Sequence, residues 1–193
     1  MTKIVRLAKH GEAKEILDVY TSGGVWLPYT DIEEVNKGIK ENENGKTSLI
    51  VVEMDGKIIG ALKLHRPQSH IGKGGKIAIL PEYRGHGIGK LLYRSAIKIF
   101  DLEGRRKVTD SLVGDNPAIL KIFQDLGFEI EATMRKHTPA GKTLYQFAYH
   151  IDEKGIPELG GDVKFDIPVT AYMNELKQKN EAGNGNNEAE SNY

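Results

Sequence analysis

"LPEYRGHGIGKLL" (Leu80–Leu92) decides how this chain is read. Three glycines, Gly85, Gly87 and Gly89, alternate between Arg84 and Lys90. The residues before them, GKIAIL (Gly75–Leu80), read as a short strand with Ile77 and Ile79 on one face. After them Ile88, Leu91, Leu92, Ala96, Ile99 and Leu102 recur at helical spacing. Glycine has no Cβ, so its backbone N–H groups can closely approach a ligand, and positive φ is cheap. The first N–H groups of a helix lack intrahelical partners, and the helix dipole adds about half a positive charge. Bare backbone between a strand and a helix start therefore makes an anion site, for which phosphate is the natural occupant. Arg84 at its rim can add a charge-assisted hydrogen bond.

Two nucleotide motifs fail on spacing. A mononucleotide P-loop needs G-x-x-x-x-G-K-[ST]. Counting back from Gly89 and Lys90, its first glycine would fall on Arg84 and its magnesium-binding hydroxyl on Leu91. The dinucleotide fingerprint G-x-G-x-x-G is here G-x-G-x-G, and no acidic residue ends a following strand at the distance needed to bind a ribose.

The rest of the chain frames this turn. Its 193 residues suffice for one domain with a real core, and 39 % of them are hydrophobic. Lysine plus arginine and aspartate plus glutamate number 27 each, so net charge gives no reason to expect a nucleic-acid or membrane partner. The absence of cysteine excludes disulfides, thiolate metal sites and a cysteine nucleophile, and fits a cytoplasmic location. The N-terminus shows no signal-peptide pattern, and no apolar run approaches the ~20 residues of a membrane span.

KIVRLA (Lys3–Ala8) reads as a strand and GEAKEILDVY (Gly11–Tyr20) as a helix. Thr30 or Asp31 caps a second helix with Ile32, Val35 and Ile39 as its apolar stripe. TSLIVVEM and KIIGALKLH flank Asp55-Gly56, a hairpin signal. KVTDSLV (Lys107–Val113) is a strand. NPAILKIFQDLGF follows as a helix, with Asn116 as N-cap, Pro117 in the first turn and Gly127 as the stop. FEIEATMR and LYQFAYHI are two last strands. The order β-α-α-β-β-β-α-β-α-β-β predicts a mixed α/β (α+β) domain over residues 1–151, with one mostly antiparallel sheet and helices on both faces. Residues 152–179 read as an extension with a short helix around Ala171–Lys179, and 180–193 as a polar, disordered tail.

IAILPEYRGHGIGKLLYRSAI closely resembles the acyl-CoA motif of the GNAT N-acetyltransferase superfamily, and NPAILKIFQDLGF resembles that family's following helix-and-strand motif. The resemblance implies the GNAT fold and acetyl-CoA as co-substrate, with no metal. It places the CoA pyrophosphate on Arg84, Gly85, His86, Gly87, Ile88, Gly89 and Lys90. The pantetheine arm would pair with Ile77–Leu80, where a bulge would aim the N–H of Leu80 or Ile79 at the thioester carbonyl. Asn116 matches the family's asparagine that touches that arm. Phe123 lines the same site but stands where members commonly carry a tyrosine that protonates the departing thiolate. A thiol of pKa ~8.5 leaves tolerably well unaided, so this loss need not end activity. Tyr145 and Tyr93 are substitutes.

The base is open as well. The position where many relatives carry glutamate is Ser111, and strand alternation turns the adjacent Asp110 to the other face. Glu82 and His65 remain candidates. Without an evident base the expected acceptor leans toward an α-amine, whose pKa of ~7.7–8.0 leaves more of it neutral than lysine's ~10.4 does. Trp26, Tyr29 and the acidic segment Asp31–Glu43 would border the acceptor, and those acids would favour a cationic one. The implied partner is a small-molecule or peptide amine, with a homodimer left open. The alternative is a non-catalytic acyl-CoA-binding module or sensor of the same fold, which would bind CoA without releasing it to an amine.

Overall fold

The computed structural model describes residues 2–22 and 31–168. Trp26, Tyr29, the helix expected at 171–179 and the tail at 180–193 lie outside them. The elements are β1 (Lys3–Leu7), α1 (Ala13–Thr21), α2 (Ile32–Lys40), β2 (Thr47–Met54), β3 (Lys57–Gln68), β4 (Ile71–Ile79), α3 (Ile88–Leu102), β5 (Lys107–Val113), α4 (Pro117–Leu126), β6 (Glu129–Met134), β7 (Leu144–His150), α5 (Ile151–Lys154) and β8 (Val163–Asp166). The eight strands make one sheet in the order β6-β7-β5-β4-β3-β2-β1-β8. All neighbours are antiparallel except β4–β5 and β1–β8.

Consecutive residues Leu49, Ile50, Val51 and Val52 of β2 are all fully buried, which requires cover on both faces of the sheet. One face carries α1 and α2, and the other carries α3. Gly60 on β3 shows the second contact: a Cβ there would touch Ile88 and Leu92 of α3. Asp31 accepts from the Glu34 N–H to cap α2. Asn116 accepts from the Ile119 N–H to cap α4, and Gly127 ends that helix at φ 81°. At the far end of α3, Glu103 holds Arg66 (2.6 Å) and Arg105 (2.8 Å) in a buried ion cluster. No described helix is long and apolar enough to cross a membrane.

Besides the single unexpected turn of α5, two elements depart from expectation. β4 begins at Ile71, not Gly75, because Gly72 and Gly74 are strand residues whose missing Cβ atoms make room for neighbours. A Cβ on Gly72 would fall inside three ring atoms of Phe100. A Cβ on Gly74 would stand 2.9 Å from both Asp110 Oδ2 and Tyr93 Cε1. β8 was not foreseen. It runs parallel to β1, pairing Val163 with Lys3, so the sheet continues beyond the expected boundary at residue 151.

Candidate active site

A cleft follows from incomplete strand pairing. β4 and β5 pair only where Ile71–Lys73 meets Lys107–Thr109. Beyond that point they splay, β4 staying bonded to β3 and β5 to β7. The gap is a cleft of about 900 Å³, walled by β4, β5, α3 and α4.

At one end the cleft meets the start of α3. Gly87 caps that helix at φ 80° and has no side chain to satisfy its first amides. Leu91 closes the first helical bond, to the Gly87 carbonyl (2.9 Å). The N–H groups of Ile88, Gly89 and Lys90 therefore have no helical partner, and no acid occupies the first turn. Gly85 is likewise left-handed, at φ 76°. Gly89 serves packing instead: a Cβ would stand 2.5 Å from Ile122 Cδ1 of α4.

Along β4 the expected bulge is present, slightly upstream of its anticipated place. Lys76 and Ile77 together oppose Leu62, where the pairing jumps from Ala61–Ala78 to Lys63–Gly75. Lys76 adopts φ 52°, a left-handed conformation costly for a side chain, and Tyr20 of α1 donates its hydroxyl to the Lys76 carbonyl (2.6 Å). Of the two expected donors, Leu80 cannot supply the N–H, because that group donates to the Ile59 carbonyl (3.0 Å). By alternation the N–H and C=O of Ile79 face the splay, and Arg84 Nε donates to that carbonyl (3.1 Å).

Of the sequence candidates, Ile79, Arg84, Gly85, Gly87, Ile88, Gly89, Lys90, Asn116, Phe123, Tyr93 and His65 border the cleft. Leu80, His86, Glu82 and Tyr145 are not among its described walls. Glu82 is exposed and bonded to Lys57 (3.0 Å), with its carboxyl held below the ordinary range by a backbone amide and by that lysine. Tyr145 sits on β7 opposite Leu112 and Thr133. Phe123 is 1 % exposed, in an aromatic cluster with Tyr93 (5.2 Å), Phe128 (5.0 Å) and Phe147 (4.7 Å). The acids of 31–43 do not border the cleft. Asp31 caps α2, Glu41 pairs with Lys63 (2.6 Å) and Glu43 meets His10 (3.0 Å).

Asp110 was set aside by strand alternation, yet both it and Ser111 border the cleft. Once β4 diverges, β5 is open along that edge, and side chains of either face reach the gap. Asp110 accepts from the Tyr93 hydroxyl and, through Oδ1, from the Ser111 N–H (2.6 Å). Burial pushes its carboxyl up from an ordinary 3.8 to about 6, against those two hydrogen bonds and the charge of Lys73. Burial and the same carboxylate push the Tyr93 phenol well above its ordinary value. His65, across the sheet, is pushed down to about 4, first by burial and then by Lys63 and Lys73. Both Asp110 and His65 are therefore mainly unprotonated at neutral pH.

These shifts act oppositely on stability. Asp110 binds its proton more tightly in the folded state, so its contribution is full below its ordinary value and is lost as pH rises through about 6. His65 binds its proton less tightly when folded, so its contribution is full above 6.5 and is lost as pH falls through about 4. Denaturant unfolding should show Asp110→Asn gaining about 3 kcal/mol on the wild type as pH rises across the Asp110 window. His65→Gln should lose ground over its own window. Differences independent of pH would refute both assignments.

The sequence model of the GNAT acetyltransferases matches residues 12–128, and the chain belongs to that family. Acetyltransferase SG1711 from Sodalis glossinidius is 24 % identical over 128 residues, which are 66 % of this chain and 87 % of that protein. The fold matches the yncA protein of Salmonella typhimurium, solved with its cofactor acetyl-CoA, at TM-score 0.67 and 17 % identity, over 83 % of this chain and 100 % of that one. It also matches a chimera of the Vibrio cholerae spermidine N-acetyltransferase SpeG with hSSAT, at TM-score 0.70 and 17 % identity, over 80 % and 98 %.

Proposed function

We propose that this chain is an acetyl-CoA-dependent N-acetyltransferase acting on a primary amine by direct attack. Acetyl-CoA supplies the activated thioester. The observation that carries the reading is the β4/β5 splay ending at the uncapped start of α3. In this reading the amides of Arg84–Lys90 hold the pyrophosphate, with Gly85 and Gly87 giving the turn its shape. The pantetheine arm lies along the Ile79 edge of β4 and passes Asn116, and the Ile79 N–H polarises the acetyl carbonyl. The working unit extends through β8, whose strand completes the sheet.

Asp110 takes the proton of the attacking ammonium. At about 6 its carboxyl is more basic than an ordinary aspartate and than His65 at about 4. Tyr93 is its positioning residue, stabilising the carboxylate from α3. Tyr93→Phe should lower kcat by roughly tenfold and move the acidic limb of the kcat/KM profile upward, since the carboxylate loses a donor. An unmoved limb would remove Asp110 from the role.

One observation favours the second reading, a CoA-binding module without turnover: Phe123 occupies the position of the family's proton-donating tyrosine and is packed into the core. Thiol release from acetyl-CoA, followed with a panel of amines, decides. Amine-dependent release supports transfer. Tight CoA binding with no release from any amine supports the module.

A further inference from the structure

We infer that the acceptor carries a carboxylate or comparable anionic group beside its amine, held by Lys73 of β4. This rests on the transfer reading above. The face of the sheet opposite Tyr93 and Asp110 gathers cationic side chains. Lys73 and His65 are cross-strand partners, Lys63 lies two residues along β3 on the same face, and Lys76 stands at the bulge. Of the three lysines, Lys73 and Lys76 border the cleft.

Their existing partners differ. Lys63 is nearly buried and holds Glu41 at 2.6 Å. Lys76 has interactions of its own, with Glu34 and Glu41 in its field. The Lys73 ammonium makes no hydrogen bond or ion pair among the described residues, although the residue is only partly exposed. The acids that do border the cleft lie elsewhere. Asp110 lies in the field of Lys73 but faces α3 and is hydrogen-bonded by Tyr93, Asp115 sits before the α4 cap, and Asp125 is engaged by Lys90 (3.2 Å) and Lys121 (3.4 Å).

An ammonium entering beside Lys73 and Lys76 therefore meets like charge. A polycation meets it repeatedly, whereas an amine bringing its own anion meets a lysine whose ammonium is not hydrogen-bonded among the described residues. The same field, which helps to strip the proton from His65, favours the neutral and nucleophilic form of the acceptor. An α-amino acid has both features: a weakly basic amine and an adjacent carboxylate.

The test uses the full chain, acetyl-CoA and a thiol readout with the twenty amino acids, their amides and spermidine. The best acceptor should carry a carboxylate, and its amide should have a kcat/KM about tenfold lower, mostly through KM. Lys73→Met should shrink that ratio to about twofold, and Lys73→Arg should restore much of it. Melting curves of both variants keep misfolding separate from lost recognition. An amide or spermidine as the best acceptor overturns the inference, as does an unchanged acid-to-amide ratio in Lys73→Met. Failure of every amine while CoA still binds overturns the transfer reading itself, and this one with it.

Discussion

Gly72→Ala is expected to destabilise the fold by about 3 kcal/mol and lower the thermal midpoint by roughly 6–12 °C. The added methyl would overlap three atoms of the Phe100 ring, not the end of a flexible chain. Neither side can yield cheaply. Phe100 is fully buried, and β4 is held here by β5, which pairs Val108 with Gly72, and by β3, which pairs with Lys73 and Ile71 on either side. Gly75→Ala, on the same strand, meets nothing within 4 Å and should stay within about 0.5 kcal/mol of wild type. A calorimetric scan of the two variants separates packing from strand propensity, since alanine improves propensity at both sites. Equal midpoints would mean that Gly72 does not hold the sheet against α3.

Gly87→Val should weaken CoA binding by about tenfold or more while leaving the far-ultraviolet circular dichroism unchanged. No atom lies within 4 Å of a Cβ at Gly87, so crowding plays no part. The cost comes from φ of 80°, which a β-branched residue resists. To relieve it the turn must re-form, carrying the amides of Ile88 and Gly89 away from a common target. Titration calorimetry with CoA reads this directly, and an unaltered dissociation constant would mean that the turn does not bind the ligand.

Much of this arrangement could be read from the sequence, where local chemistry fixes local structure. Asn116, Pro117 and Gly127 mark both ends of α4 because cap, first turn and stop each have residues that suit them. The alternating glycines announce the open start of α3 for the same reason. What escaped the sequence depends on contacts between distant residues. The sequence reading began β4 only at Gly75 because glycine is poor in strands, and only the approach of Phe100, Tyr93 and Asp110 explains Gly72 and Gly74. Alternation misjudged Asp110 because it assumes a strand with neighbours on both edges, and β5 loses one of them at the splay. The sequence left Leu80 and Ile79 both open as the amide donor because the bulge sets which amides face β3, and its place is not encoded locally. β8, at four residues, is too short to show a period, and its pairing to β1 spans most of the chain. Lys73 drew no notice because nothing in the sequence says which lysine ammonium goes without a hydrogen bond among the described residues.

The central claim is that main-chain amides at the start of α3 grip the diphosphate of CoA. Calorimetric titration of the wild-type chain with CoA and with pantetheine, which has the same arm and no phosphates, tests it most directly. The account predicts that CoA binds about 100-fold or more tightly than pantetheine. Equal affinity for the two ligands would contradict it.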